Sequence, residues 1–212
     1  MKIELENVLP ADIERRSFEI IESELPHPLD PVLAPIIKRV IHTTADFSFA
    51  DTLAFSEGVV PLALTALQNG AHIVTDTNMA MTGINKAMLQ KLGGEAHCFM
   101  ADADVAAAAK ANGTTRAVAS MEKALTLDKP VIFAIGNAPT ALIRLYELIE
   151  DGKLSPALII GAPVGFVNVV QSKDLIMQAG VPYIVARGRK GGSTIVAAIC
   201  NALIYQLTRD KV

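Results

Sequence analysis

The sequence predicts an α/β fold in which a helical extension, about residues 1–70, precedes a parallel five-stranded core, about residues 71–212, all in one domain. Two observations carry this reading. Before Gly70 the apolar residues recur at three- and four-residue intervals, the period of a helix face; after it, apolar runs of strand length alternate with helical segments. The runs are continuous, as strands covered on both faces by helices must be. A length of 212 residues exceeds the roughly 150 of a typical domain but is common for one α/β unit.

Residues 10–25 form the first expected helix, with Ile13, Ile20 and Ile21 at helical spacing and Ser17 inside their stripe. The Ser17 hydroxyl either returns to the helix carbonyl four residues earlier or meets a ligand. Pro26, Pro28 and Pro31 then break the chain, and Asp30-Pro31 offers an N-cap followed by proline at the first helical position. In the second helix Leu33, Ile36, Ile37, Val40 and Ile41 make the buried stripe. Arg39 and His42, three apart, share a face beside it. A third helix carries Val59, Leu62, Ala63, Ala66 and Leu67 and ends at Asn69-Gly70.

Strands follow at 71–75, 95–99, 131–135, 157–160 and 183–186, separated by helices at about 79–92, 115–127, 139–151 and 166–179 and closed by one at 193–207. Right-handed crossovers between them give a doubly wound sheet, and five strands fit the flavodoxin-like order 2-1-3-4-5. Residues 105–111 are alanine-rich but short, and no repeat or linker interrupts the pattern.

Composition narrows the function. No apolar run approaches the roughly 20 residues of a membrane span, and the amino terminus lacks the apolar core of a secretory signal, so a cytoplasmic protein is expected. A net charge of -3 argues against nucleic acid as the main partner. Cys98 and Cys200 are far apart and read as buried free thiols, and His27, His42, His72 and His97 lack metal-ligand spacing, so no metal site is expected. With 51% hydrophobic residues, the chain has more apolar surface than one small domain needs to bury, which points to a subunit interface. Cations cluster at Arg15/Arg16, Lys38/Arg39 and Arg187-Gly188-Arg189-Lys190, as a small polyanionic ligand requires.

In an open parallel sheet ligands bind beyond the carboxyl ends of the strands. There the chain places Asp76-Thr77-Asn78, Gly136-Asn137-Ala138-Pro139, Gly161-Ala162-Pro163-Val164-Gly165 and Arg187 through Thr194, small or polar stretches that let a bulky ligand approach the backbone. The last joins glycines, cations and a helix amino terminus, a carboxylate-binding combination without P-loop spacing; a solvated charged turn is the alternative. Arg116, a cation in the first turn of a helix, opposes the macrodipole and needs an anionic ligand or a surface ion pair to explain it. Asp76 is either a helix cap or catalytic. His72 and His97 lie in strands and read as structural, His27 as solvated. The signatures of serine hydrolases, zincins and dinucleotide enzymes are absent.

Six blocks in one order resemble the precorrin-8X (cobalt-precorrin-8) methylmutase family of corrin biosynthesis: Arg16-Ser17-Phe18-Glu19-Ile20-Ile21, Arg39 through Asp46, Asp76-Thr77-Asn78-Met79-Ala80, Ile135 through Leu142, Gly161 through Val167, and Gly188-Arg189-Lys190-Gly191-Gly192-Ser193. The resemblance covers nearly the whole chain. It implies transfer of a methyl group within ring C of a tetrapyrrole, from the α-carbon beside the bridge to the adjacent β-carbon. It also implies a flavodoxin-like fold, a homodimer and no S-adenosylmethionine or other cofactor, any cobalt being carried by the substrate. The family's acid/base histidine corresponds to His42, and its substrate contacts to Ser17, Arg39 and Arg116. Thr43, Arg189 and Lys190 join them as candidate substrate contacts, and Asp46, four residues after His42, could orient its imidazole or cap the next turn. Histidine suits the role, since it gives and recovers a proton near neutral pH. A tetrapyrrole or flavin carrier is the competing reading; it leaves His42 without a task.

Overall fold

The computed structural model describes residue 6 and residues 8–209. In chain order it contains α1 (Ile13–Glu24), α2 (Ala34–Thr44), α3 (Phe49–Thr52), β1 (Leu53–Phe55), α4 (Val59–Gln68), β2 (His72–Thr75), α5 (Asn78–Gly83), α6 (Lys86–Lys91) and β3 (Ala96–His97). There follow α7 (Ala103–Ala111), α8 (Arg116–Lys123), β4 (Val131–Ile135), α9 (Pro139–Glu150), β5 (Leu158–Gly161), α10 (Val169–Gln178), β6 (Tyr183–Ala186) and α11 (Ser193–Thr208).

The sheet is mixed and has six strands, in the order β1-β6-β5-β4-β2-β3. The expectation of five strands, all parallel, is corrected at one edge. β1 runs antiparallel to β6, pairing Leu53 with Ala186 and Phe55 with Ile184. Three residues between two helices carry no periodicity, so the strand formed by Leu53, Ala54 and Phe55 is invisible to a pattern search. The helical extension therefore also closes the edge that β6 would otherwise expose.

Along the parallel strands successive side chains enter opposite layers. Ile132, Ala134, Leu158, Ile160, Ile184 and Ala186 pack with α2, α4 and α11. Phe133, Ile135, Ile159 and Val185 pack with α8, α9 and α10 on the other face. All five residues of β4 are buried, the condition that made its run continuous in sequence. Each fully buried isoleucine or phenylalanine here contributes about 1.5–3 kcal/mol of transfer free energy. α11 is the central helix of the first layer, with nine buried residues including Ile195, Val196, Ile199 and Leu203.

Several helix boundaries follow local chemistry. The segment expected as one helix over 79–92 is two, because Asn85 breaks it and caps α6 by accepting from the amide of Met88 at 3.2 Å. α2 begins at Ala34, after a turn in which Asp30 accepts from the amide of Val32 at 2.7 Å. The alanine-rich segment is the helix α7. No helix of the described residues is long and apolar enough to cross a membrane.

Candidate active site

α2 lies along α11 with Ile36, Ile37, Val40 and Ile41 buried, so the 3.6-residue period leaves Arg39 and His42 at the margin of that contact. The helix stops two residues after His42, where Ala45 turns into the left-handed region at φ 52° and its amide closes on the carbonyl of Ile41. His42 is exposed, with the ring of Phe18 from α1 at 5.4 Å between centroids. It opens into a cleft of about 270 Å³ whose other wall is one face of α11: Thr194, Ala197, Ala198, Asn201 and Tyr205. Their three- and four-residue spacing puts them in one row, and the two alanines leave room in front of the imidazole. Arg39 and Tyr205 also line an adjoining groove of about 1260 Å³ between α1, α2 and α11.

Arg39 enters this groove already partnered. Its guanidinium pairs with Glu14 of α1 and lies 4.9 Å from the ring of Phe18 and 5.3 Å from that of Tyr205. Arg209 takes the other Glu14 oxygen at 2.9 Å. Burial raises the Glu14 carboxyl, but the two guanidiniums outweigh it and hold the group below its ordinary value. A carboxyl depressed on folding contributes stability above its unfolded value and loses it as pH falls through the lower, folded one. The contact of α1 with α2 should therefore loosen below about pH 4.5, the ordinary glutamate value. Amide exchange in α1 checks this: protection should fall over that range, and a Glu14→Gln variant should show no such pH dependence.

The hydroxyls of Ser17 and Thr43 return to their own helices, donating to the carbonyls of Ile13 at 2.8 Å and Arg39 at 3.0 Å. Both oxygens keep acceptor capacity for a ligand. Thr43 lines the cleft and Ser17 does not. Asp46 lies beyond the last turn of α2 and does not line the His42 cleft. Its carboxylate accepts from the amide of Ser48 at 3.0 Å and from Lys190 Nζ at 2.6 Å, and the bond from Lys190 is the main reason it is held below the usual carboxylate range. The carboxylate closes the turn that leads into α3 and ties the loop after α2 to the loop after β6.

Arg189 is exposed on that second loop, its guanidinium 5.4 Å from the ring of Phe166. Arg116 opens α8, whose Ala117 and Met121 pack on the opposite face of the sheet from α2, so a single chain does not bring it to His42. His72 and His97 are bonded to each other at 2.9 Å, with His97 stacked on Phe99; burial, then the neighbouring imidazole, push His97 down. His27 is exposed, in keeping with the expectation that it is solvated, and is bonded to Asp51 at 2.7 Å.

Asp76 is buried and does not cap α5; Thr77 does, accepting from the amide of Ala80 at 3.1 Å. The Asp76 carboxylate accepts instead from the amides of Gly136 at 2.8 Å, Asn137 at 2.8 Å and Ala138 at 2.6 Å, fixing the loop between β4 and α9. Burial pushes its carboxyl up against the pull of those amides. Gly136 touches the start of α11 so closely that a β-carbon there would lie 2.8 Å from Ser193 Cα.

Residues 12–206 match the family model for precorrin-8X methylmutase. The chain is 44% identical over 197 residues to the cobalt-precorrin-8 methylmutase of Priestia megaterium, covering 92% of this chain and 88% of that protein. It is 42% identical over 205 residues to the cobalt-precorrin-8 methylmutase of Salmonella typhimurium, covering 93% and 96%. The crystal structure of precorrin-8X methylmutase from Thermus thermophilus superposes with a TM-score of 0.83 at 43% identity, covering 91% of this chain and 96% of that one.

The chain belongs to the precorrin-8X methylmutase family. It is thereby a methylmutase, an isomerase of cobalamin biosynthesis, and a tetrapyrrole is the substrate the family implies. The match spans α1 through most of α11, so the helices that build the cleft belong to the methylmutase as fully as the sheet does. Thr194 belongs to a stretch that the sequence places at the ligand-facing end of the sheet, whereas the polar cleft residues Asn201 and Tyr205 lie outside every stretch singled out there. Asn201 offers the one available signal, a side-chain amide in an otherwise apolar run; it bonds the carbonyl of Gly83 at 2.8 Å and the amide of Asn85 at 2.8 Å, holding the break between α5 and α6 against the cleft.

Proposed function

We propose that this methylmutase moves the ring C methyl group of precorrin-8X, or of its cobalt form, by proton transfer to and from His42. The observation that carries the reading is the exposed imidazole at the end of α2, facing the small-residue row of α11 and flanked by Arg39. In the proposed step the His42 imidazolium donates its proton to the macrocycle and makes the conjugated system electron-poor. The bond from the methyl carbon to the α-carbon breaks as the bond to the adjacent β-carbon forms, and the proton returns to His42. Substrate and product are isomers, so the balance calls for no cofactor, and any cobalt travels within the macrocycle.

Arg39, Arg189 and Lys190, with Ser17 and Thr43 as hydroxyl contacts, are the proposed anchors for the peripheral carboxylates. Arg39 would exchange Glu14 for substrate, and Lys190 would divide its ammonium between Asp46 and a substrate carboxylate. Arg116, which one chain leaves remote, joins the site only if a second copy supplies it. A homodimer is therefore part of the proposal, supported also by the exposed apolar residues Val164, Phe166, Val167 and Met79 at the carboxyl end of the sheet. The strand order supports a flavodoxin-like winding of the parallel strands, and the cytoplasm is the proposed compartment.

Catalytic amounts of protein incubated with precorrin-8X should change the visible spectrum to that of hydrogenobyrinate over many equivalents. Unreacted binding at one equivalent would overturn the reading in favour of a carrier. Neutralising the anchors in an Arg189→Ala/Lys190→Ala double variant should weaken hydrogenobyrinate binding by about tenfold at low ionic strength, with a smaller difference in high salt, as screened charge contacts require. Titration of the chromophore measures both.

A further inference from the structure

Lys173 is the one fully buried cation among the described residues, 1% exposed within α10. Its ammonium donates to the carbonyls of Gly188 at 2.7 Å and Lys190 at 2.9 Å, and no carboxylate among the described residues pairs with it. The loop it grips, residues 187–192, is held from other sides as well. The amide of Gly165 donates to the carbonyl of Arg189 at 3.2 Å, the amide of Gly192 to that of Ala162 at 2.8 Å, and Gly191 lies so close to the end of β5 that a β-carbon would stand 2.2 Å from the Ala162 carbonyl oxygen. Three successive carbonyls, those of residues 188, 189 and 190, are thus engaged by the protein, while the side chains of Arg189 and Lys190 are exposed.

Burying an ammonium without a counter-ion is costly, and burial lowers this one to about 8. An apolar side chain would fill the same place in α10 at no such cost. What lysine adds is a pair of strong donors to carbonyls that would otherwise be free to turn. We propose that Lys173 is a positioning residue for substrate binding: its ammonium fixes the backbone of residues 188–190 so that Arg189 and Lys190 present their charges together to the carboxylates of the macrocycle. The proposal rests on the reading of Arg189 and Lys190 as anion anchors.

A double-mutant cycle tests it on the full chain, with hydrogenobyrinate binding, kcat and thermal stability read for each protein. Lys173→Met should weaken hydrogenobyrinate binding by about tenfold in the wild-type background and change it less than about twofold in the Arg189→Ala/Lys190→Ala background, the non-additivity of residues acting as a unit. It should raise KM while leaving kcat at saturation within about threefold, because it touches nothing at His42. Gly191→Ala, which displaces the loop from the β5 side without altering the interior of α10, should reproduce the affinity loss and serves if Lys173→Met folds poorly. If Lys173→Met binds as wild type while the double variant binds weakly, the positioning role is overturned alone. If the double variant itself binds as wild type, the anchor reading falls and takes this proposal with it. A lower melting temperature with unchanged KM, or losses that simply add across the cycle, would show that Lys173 only stabilises the fold.

Discussion

His42→Ala should lower turnover of precorrin-8X by about 10²–10⁴-fold, the range that a positioned general acid/base supplies. Binding of hydrogenobyrinate should change by only a few-fold, because the proposed carboxylate anchors are other residues. The fold gives reason to expect so clean a separation. The imidazole is exposed at the last turn of α2, so removing it opens no cavity in the layer formed by Val40, Ile41 and α11. The nearest polar groups are already engaged: Asn201 in the cleft is bonded at both ends of its amide, and Asp46, outside the cleft, is held by Lys190 and Ser48. Single-turnover absorbance with enzyme in excess separates chemistry from binding. Loss of affinity at an unchanged rate would make His42 a contact and not a proton shuttle.

Asp76→Asn should cost about 2–4 kcal/mol of stability, and for a chain of this size each kcal/mol lowers the melting temperature by about 2–4 °C. Three backbone amides point at the two carboxylate oxygens. Asparagine offers one acceptor oxygen and turns its amide NH2, a donor, toward the remaining donors, leaving buried N–H groups unpaired. The damage should reach the His42 cleft, since the loop that Asp76 holds presses Gly136 against the first residue of α11, whose next residue, Thr194, lines the cleft. Activity per folded molecule should therefore drop, but by far less than in His42→Ala. Calorimetry and activity on one preparation check both statements. An unchanged melting temperature would mean that the amide clamp contributes nothing, and a loss of rate equal to that of His42→Ala would return Asp76 to the catalytic candidates.

What was legible in the sequence follows physical range. The buried strands announced themselves because Val131 to Ile135 must be apolar on both faces, and the place of His42 followed from a helical period that Ile36, Ile37, Val40 and Ile41 set unambiguously. The edge strand β1 escaped because pairing with β6, not its own three residues, makes it a strand. The task of Asp76 escaped for a related reason: its partners are backbone amides some sixty residues away, a group that every residue but proline carries and that no side-chain pattern marks. Lys173 was readable in part. Val169, Ser172, Lys173 and Ile176 stand at the spacing of one buried helix face, and a lysine on that stripe marks a carbonyl or an anion beneath it. The partners of Arg39 were not readable at all, since Glu14 and Tyr205 meet it only when α1 and α11 close around α2.

Whether the imidazole of His42 serves ring C is decided by a crystal structure of the protein with hydrogenobyrinate bound. Ring C should lie over the α2–α11 cleft with a His42 nitrogen within about 2.6–3.2 Å of the macrocycle atom it protonates, or joined to it by one water. The product carboxylates should meet Arg39, Arg189 and Lys190. A complex in which ring C lies away from the cleft, with His42 facing solvent or a peripheral carboxylate alone, would contradict that role.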